Sequence, residues 1–196
     1  MQLNSRPHLT QNVLNRPNHG RQPRPGPACV VQVLLTALAL AGCSTLSSSV
    51  EHDIPNFKQV TVDPGVYRGG QPRSRAGWEY LQSIGISNVV KLNLETEATD
   101  NDARALGMTV SYFPISYLHQ RVLKPDPTIV SNAVAAIKPG TYVHCKKGQD
   151  RTGLIVGCKR VWQEGWAKTN AWTEMIAGGF HPILRGLNDF WQDTVR

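Results

Sequence analysis

The stretch that decides the fold is Thr141-Tyr142-Val143-His144-Cys145-Lys146-Lys147-Gly148-Gln149-Asp150-Arg151-Thr152-Gly153, running on into Leu154-Ile155-Val156-Gly157-Cys158-Lys159-Arg160-Val161-Trp162. Thr141 to Val143 form a short β-like segment, and Leu154 onward carries a helical pattern. The turn between them holds a cysteine and, after five residues, an arginine. A strand-to-helix turn of this kind suits a phosphate dianion, because its N–H groups point inward and the helix N-terminus adds partial positive charge. Arg151 is placed to offer a two-pronged guanidinium to two phosphate oxygens. The same positive surroundings favour the nucleophilic thiolate of Cys145. The plainer reading is a core cysteine followed by a basic turn that caps a helix. The paired Lys146 and Lys147 argue against it, since they repel each other unless an anion lies between them.

Outward from this loop, apolar runs alternate with helical patterns. Residues 58–62 and 66–68 look like short strands broken by Asp63-Pro64-Gly65, and Ser74 is a helix cap for a segment through Trp78, Leu81 and Ile84 to Gly85. Residues 87–94 form a largely buried strand, 100–106 a helix ended by Gly107, and 109–115 another strand. Residues 128–137 make an amphipathic helix stopped by Pro139-Gly140, and two or three helices close the chain. The alternation predicts an α/β fold, a three-layer sandwich with a central, mostly parallel sheet. The loop then lies at the carboxyl end of a central strand, where open α/β sheets bind ligands.

The 196 residues accommodate one domain, placed at 56–196, and a leader. Net charge is +7, but Arg6, Arg16, Arg21 and Arg24 lie in an acid-free N-terminal stretch. From Ser44 onward 17 basic side chains face 14 acidic ones, so this part is only mildly basic at +3. It lacks the basic–aromatic interleaving of a nucleic-acid binder, so no nucleic-acid partner is expected. Residues 28–41 form an apolar run too short to span a bilayer comfortably, which makes residues 1–42 a signal peptide. Leu40-Ala41-Gly42-Cys43 resembles the bacterial lipobox. That resemblance implies lipidation at Cys43, a flexible tether over 43–55, and membrane attachment in a bacterial cell envelope. The periplasmic face, at the outer rather than the inner membrane, is the expected location. Cys145 and Cys158 are then the remaining thiols, with Cys158 a core residue and no disulfide framework. No metal-ligand spacing occurs, and neither metal nor cofactor is expected.

His144, Cys145, Gly148, Arg151, Thr152 and Gly153 together resemble the signature loop of the protein tyrosine phosphatase superfamily. Tyr67-Arg68-Gly69-Gly70-Gln71-Pro72 is similar to the opening of atypical dual-specificity phosphatases. Gly179-Phe180-His181-Pro182 resembles the closing segment of bacterial relatives. One departure is Glu95, where relatives often carry Arg after Asn-Leu.

The resemblance implies a cysteine-phosphatase-like domain that hydrolyses phosphomonoesters through a phosphocysteine on Cys145. Arg151 and the loop residues Lys146, Lys147, Gly148, Gln149 and Asp150 would hold the phosphoryl group. Thr152 is positioned to hydrogen-bond the cysteine sulfur, and His144 to brace the loop. The general acid is Asp126, in Lys124-Pro125-Asp126-Pro127, with Asp150 the alternative. Asp126 also stands where a helix N-cap belongs. The substrate is a phosphorylated protein or a small phosphorylated molecule or lipid. A non-catalytic phosphate-binding lipoprotein, a pseudophosphatase, is the competing class; a sulfur-transfer loop fits less well.

Overall fold

The structure, a computed structural model, describes residues 50–60 and 65–196. The leader, Cys43 and the first part of the tether lie outside the described residues. Strands β1 (Val50–Glu51) and β2 (Ile54–Pro55) pair antiparallel as a small ribbon. The main sheet has five strands in the order β3-β4-β7-β5-β6. Edge strand β3 (Lys58–Gln59) runs antiparallel to β4 (Val66–Gly70). The others, β4, β7 (Thr141–Cys145), β5 (Asn88–Lys91) and β6 (Thr109–Tyr112), are parallel.

Among the described residues seven helices connect and cover these strands: α1 (Arg75–Ser83), α2 (Asn101–Ala105), α3 (Tyr117–Arg121), α4 (Pro127–Ala135), α5 (Asp150–Trp162), α6 (Lys168–Ala177) and α7 (Arg185–Thr194). Successive strand residues point to opposite faces, and the core divides accordingly. Val89 and Tyr142 pack with Ile54, Trp78, Leu81, Ala103 and Met108, under α1 and α2. Val90 and Val143 pack with Val130, Leu154, Ile155, Met175, Leu187 and Phe190, under the remaining long helices. The expected three layers are present. All five residues of β7 are buried, as a central parallel strand requires.

Two local expectations change. Within the tether expected over 43–55, Ile54 is fully buried and the His52 ring stacks on Tyr80 with centroids 3.5 Å apart. Burial of this one isoleucine in a polar run ties the ribbon to the domain. A short helix, α3, also forms where no helical period is visible. It is started by Ser116, whose Oγ accepts from His119 N at 3.3 Å. Ser74 does occupy the N-cap position of α1, without a side-chain capping bond. Cys158 lies in the core, where burial pushes its thiol pKa up.

Helix α3 leans on α7 at Gly186. A Cβ there would collide with the carbonyl oxygens of His119 and Leu123. Gly186→Ala should therefore lower stability by about 1–3 kcal/mol, read from the urea unfolding midpoint. An unchanged midpoint would mean that α3 is not held by this contact.

Candidate active site

Cys145 ends β7, and its position is fixed from behind. In the sheet it stands beside Gly70, and His144 stands between Gly69 and Lys91. The Tyr142 hydroxyl donates to Gly70 O at 2.6 Å. His144 is fully buried, with Nε2 2.9 Å from Asp100 Oδ2. Lys91, equally buried, donates from Nζ to Asp100 Oδ1 at 3.1 Å and to Ala98 O at 2.7 Å. The Gln71 amide adds a bond to Asp100 Oδ1 at 2.9 Å. Burial works to raise the pKa of Asp100; His144, Gln71 and Lys91 outweigh it and hold the carboxyl well below the usual carboxylate range. Asp100 is the N-cap residue of α2, yet its side chain makes no capping bond and serves this cluster instead.

The loop itself is turned by its carbonyls. Lys146 O accepts from Gln71 N at 3.1 Å, Lys147 O from Asn56 Nδ2 at 2.9 Å, and Gly148 O from Arg68 Nη2 at 2.9 Å. In a trans peptide the next N–H points opposite to the carbonyl. The N–H groups of Lys147, Gly148 and Gln149 are thereby turned toward the inside of the loop, as an anion cradle requires. Gly148 has φ +75°, and a Cβ there would meet the backbone of Gly69 and Gly70, so a glycine is needed at this position.

Arg151 closes the cradle, its guanidinium held by an acid and a backbone carbonyl. Its Nη1 and Nη2 donate to the two Glu97 oxygens at 2.7 Å each, and Nη1 also donates to Ile115 O at 3.0 Å. Burial acts to raise the pKa of Glu97, and its bonds and charge interaction with Arg151 overcome this and hold it below the usual range. Arg151 Nε is buried with no partner among the described residues. A buried donor without a partner is costly unless a ligand supplies an acceptor. Glu97 thus anchors one side of the guanidinium and leaves the Nε edge for an anion. Arg68, with Arg151, lies within electrostatic reach of Cys145.

A cleft of about 400 Å³ opens over Cys145, walled by Tyr117, Gln120, Arg121, Lys146, Lys147 and others including Arg151. Asp150 and His181 line it as well. Asp126 does not: it caps α4, its Oδ1 accepting from Thr128 N at 2.7 Å. The structure therefore brings Asp150 to the cleft and leaves Asp126 at the helix end where its capping role places it. The Thr152 hydroxyl points to Gly69 O at 3.5 Å, and a bond to the cysteine sulfur is not formed in this arrangement. Gln149 lines a second, larger cavity of about 650 Å³, with Arg73 and both lysines. Glu95, the departure noted in the sequence, pairs at the surface with Arg104 at 3.1 Å and is no part of the site.

Residues 54–177 match the family model described as the tyrosine phosphatase family. The chain is 26% identical over 127 residues to inositol diphosphatase DSP4 of Arabidopsis thaliana, covering 62% of this chain and 63% of that protein. It is 29% identical over 129 residues to dual specificity protein phosphatase TpbA of Pseudomonas aeruginosa, covering 64% of this chain and 56% of the relative. The chain thus spans under two thirds of the length of either relative. In structure it is similar to the core catalytic domain of the PP-IP phosphatase SIW14 from S. cerevisiae, with a TM-score of 0.57 at 23% identity, covering 70% of this chain and 84% of the other. At that identity the likeness speaks for the fold.

The buried cluster behind the loop sets a pH dependence. Because the folded state holds Asp100 below its ordinary value of about 3.9, its contribution is complete above that pH and fades as the pH falls further. Asp100→Asn, which leaves the buried Lys91 unbalanced, should cost about 3–5 kcal/mol at pH 7. It should also flatten the acid side of the stability curve. Equal stability of the variant at pH 7 would show that the cluster carries no such energy.

Proposed function

Because the chain belongs to the tyrosine phosphatase family, we propose that it hydrolyses phosphomonoesters through a phosphocysteine on Cys145. The observation that carries the reading is the buried, unpartnered Arg151 Nε beside Cys145, in a loop whose carbonyls are tied outward. The thiolate attacks phosphorus, the phosphorus–oxygen bond breaks, and water then hydrolyses the phosphorus–sulfur bond. Loop N–H groups and the Nε edge of Arg151 face the charge that spreads over the phosphoryl oxygens in both steps. Glu97 and Ile115 O act through Arg151 by fixing its plane. Gln120, whose Nε2 is buried without a partner in the cleft wall, adds a donor next to the cradle.

We take the substrate to be a small molecule with more than one phosphate. Lys146, Lys147 and Arg121 surround the cleft, and Arg73 stands in the adjoining cavity that shares both lysines. The names of the plant relatives, inositol diphosphatases, agree with that charge. A phosphorylated protein is the second reading, supported by the exposed Tyr117, Leu118 and Ile183 near the cleft and by the name of the bacterial relative.

Turnover of para-nitrophenyl phosphate should vanish in Cys145→Ser while inorganic phosphate still binds; binding without any wild-type turnover would mark a pseudophosphatase. In Lys146→Ala/Lys147→Ala, KM should rise at least tenfold for inositol polyphosphates and change little for para-nitrophenyl phosphate. An equal rise for both substrates would contradict the polyphosphate reading.

Lipid attachment at Cys43 belongs to the same proposal and would put the domain at a membrane of the cell envelope. Expressed with its leader, the protein should fractionate with membranes and carry an acyl mass, and Cys43→Ala should release it. Wild-type protein found soluble and unacylated would remove the anchor from the account.

A further inference from the structure

The reaction proposed above needs a proton for the leaving oxygen, and the cleft contains a pair of groups suited to supply it. Among the described residues lining the cleft, Asp150 is the one carboxylate. Its Oδ1 accepts from the backbone N–H of His181 at 2.9 Å and meets the His181 ring Nδ1 at 2.8 Å. The Asp150 side chain is 14% exposed and the His181 side chain 55%, so the imidazole stands in front of the carboxylate. The segment carrying His181 is fixed. Phe180 is buried edge-on against Trp172, with centroids 5.6 Å apart, its N donates to Met175 O at 3.0 Å, and His181 O accepts from Leu184 N at 3.0 Å.

We propose that His181, oriented by Asp150, is the proton carrier of both steps. With Nδ1 engaged by Asp150, Nε2 is the nitrogen left to face a bound ester. An imidazole nitrogen can both give and take a proton, which suits alternating acid and base duty. In the first step the Cys145 sulfur bonds to phosphorus and the ester P–O bond breaks. Its electron pair stays on the leaving oxygen, which takes the Nε2 proton and departs as the alcohol. In the second step the neutral Nε2 takes a proton from water as its oxygen bonds to phosphorus. The P–S bond breaks, its pair returns to sulfur, and inorganic phosphate leaves. Histidine and thiolate are restored. Asp150 is the positioning residue: it fixes the ring and balances the imidazolium charge. The other charged or titratable groups sharing the cleft with His181 are Tyr117, Arg121, Cys145, Lys146, Lys147 and Arg151. Asp150 is the single acid against four cations among them.

The test compares phenyl phosphate with para-nitrophenyl phosphate, whose leaving group departs with little protonation. His181→Gln should lower kcat for phenyl phosphate by roughly 10²–10³-fold and far less for para-nitrophenyl phosphate. The alkaline fall of the wild-type kcat should disappear. His181→Ala should regain phenyl phosphate turnover on addition of free imidazole, which a merely structural role does not give. Asp126→Asn should leave both substrates untouched. Equal losses for the two substrates in His181→Gln, no imidazole rescue, or a leaving-group-dependent loss in Asp150→Asn or Asp126→Asn with His181→Gln unaffected would overturn the assignment. Absence of wild-type turnover would instead sink the phosphatase reading on which it rests.

Discussion

Three carbonyl oxygens decide the character of this site. Those of Lys146, Lys147 and Gly148 are held away from the loop's interior by Gln71 N, Asn56 Nδ2 and Arg68 Nη2. If they turned inward, the loop would present partial negative charge to a thiolate and repel the anion it is proposed to bind. Each donor comes from the chain at or before the start of α1, which explains why the N-terminal ribbon and β4 are packed so closely against the loop. The constraint reaches further, since Gly148 must adopt a positive φ with no room for a side chain.

Behind the loop, buried charge replaces apolar packing. Lys91, Asp100 and His144 are all fully buried, and Asp100 receives the Lys91 ammonium, the Gln71 amide and a contact from His144 Nε2. A buried set of this kind is expensive to break and gives a single arrangement to the strand end that presents Cys145. Above it, Glu97 holds Arg151 from the side away from the cradle. Gln71 ties the loop to the buried cluster, because its backbone N holds Lys146 O while its side chain holds Asp100.

The layers were legible because they rest on local signals. Val89-Val90, Val143 and the helical run after Gly153 declare strand and helix by period and composition, and the cysteine–arginine spacing marks the turn between them. The acids were harder to read. Asp100 opens a helix and so resembles a cap; only Lys91, a lone cation in an apolar strand, signalled that a buried anion must face it. Glu97 lies far from Arg151 in sequence, and no spacing rule links them. Asp126 stands at a helix N-terminus, which takes the nearest carboxylate, and its Oδ1 accepts from Thr128 N there. His181 gave no sign of a role beyond its closing motif, since its partner Asp150 is 31 positions away.

The account stands on covalent chemistry at Cys145, and rapid acid quench during turnover, followed by mass analysis of the peptide holding residues 141–151, tests it most directly. The account predicts one added phosphoryl group on Cys145 in the wild-type protein, formed faster than free phosphate is released. It predicts none in Cys145→Ser. Turnover at the wild-type rate with no phosphorylated peptide, or the same adduct in Cys145→Ser, would contradict it.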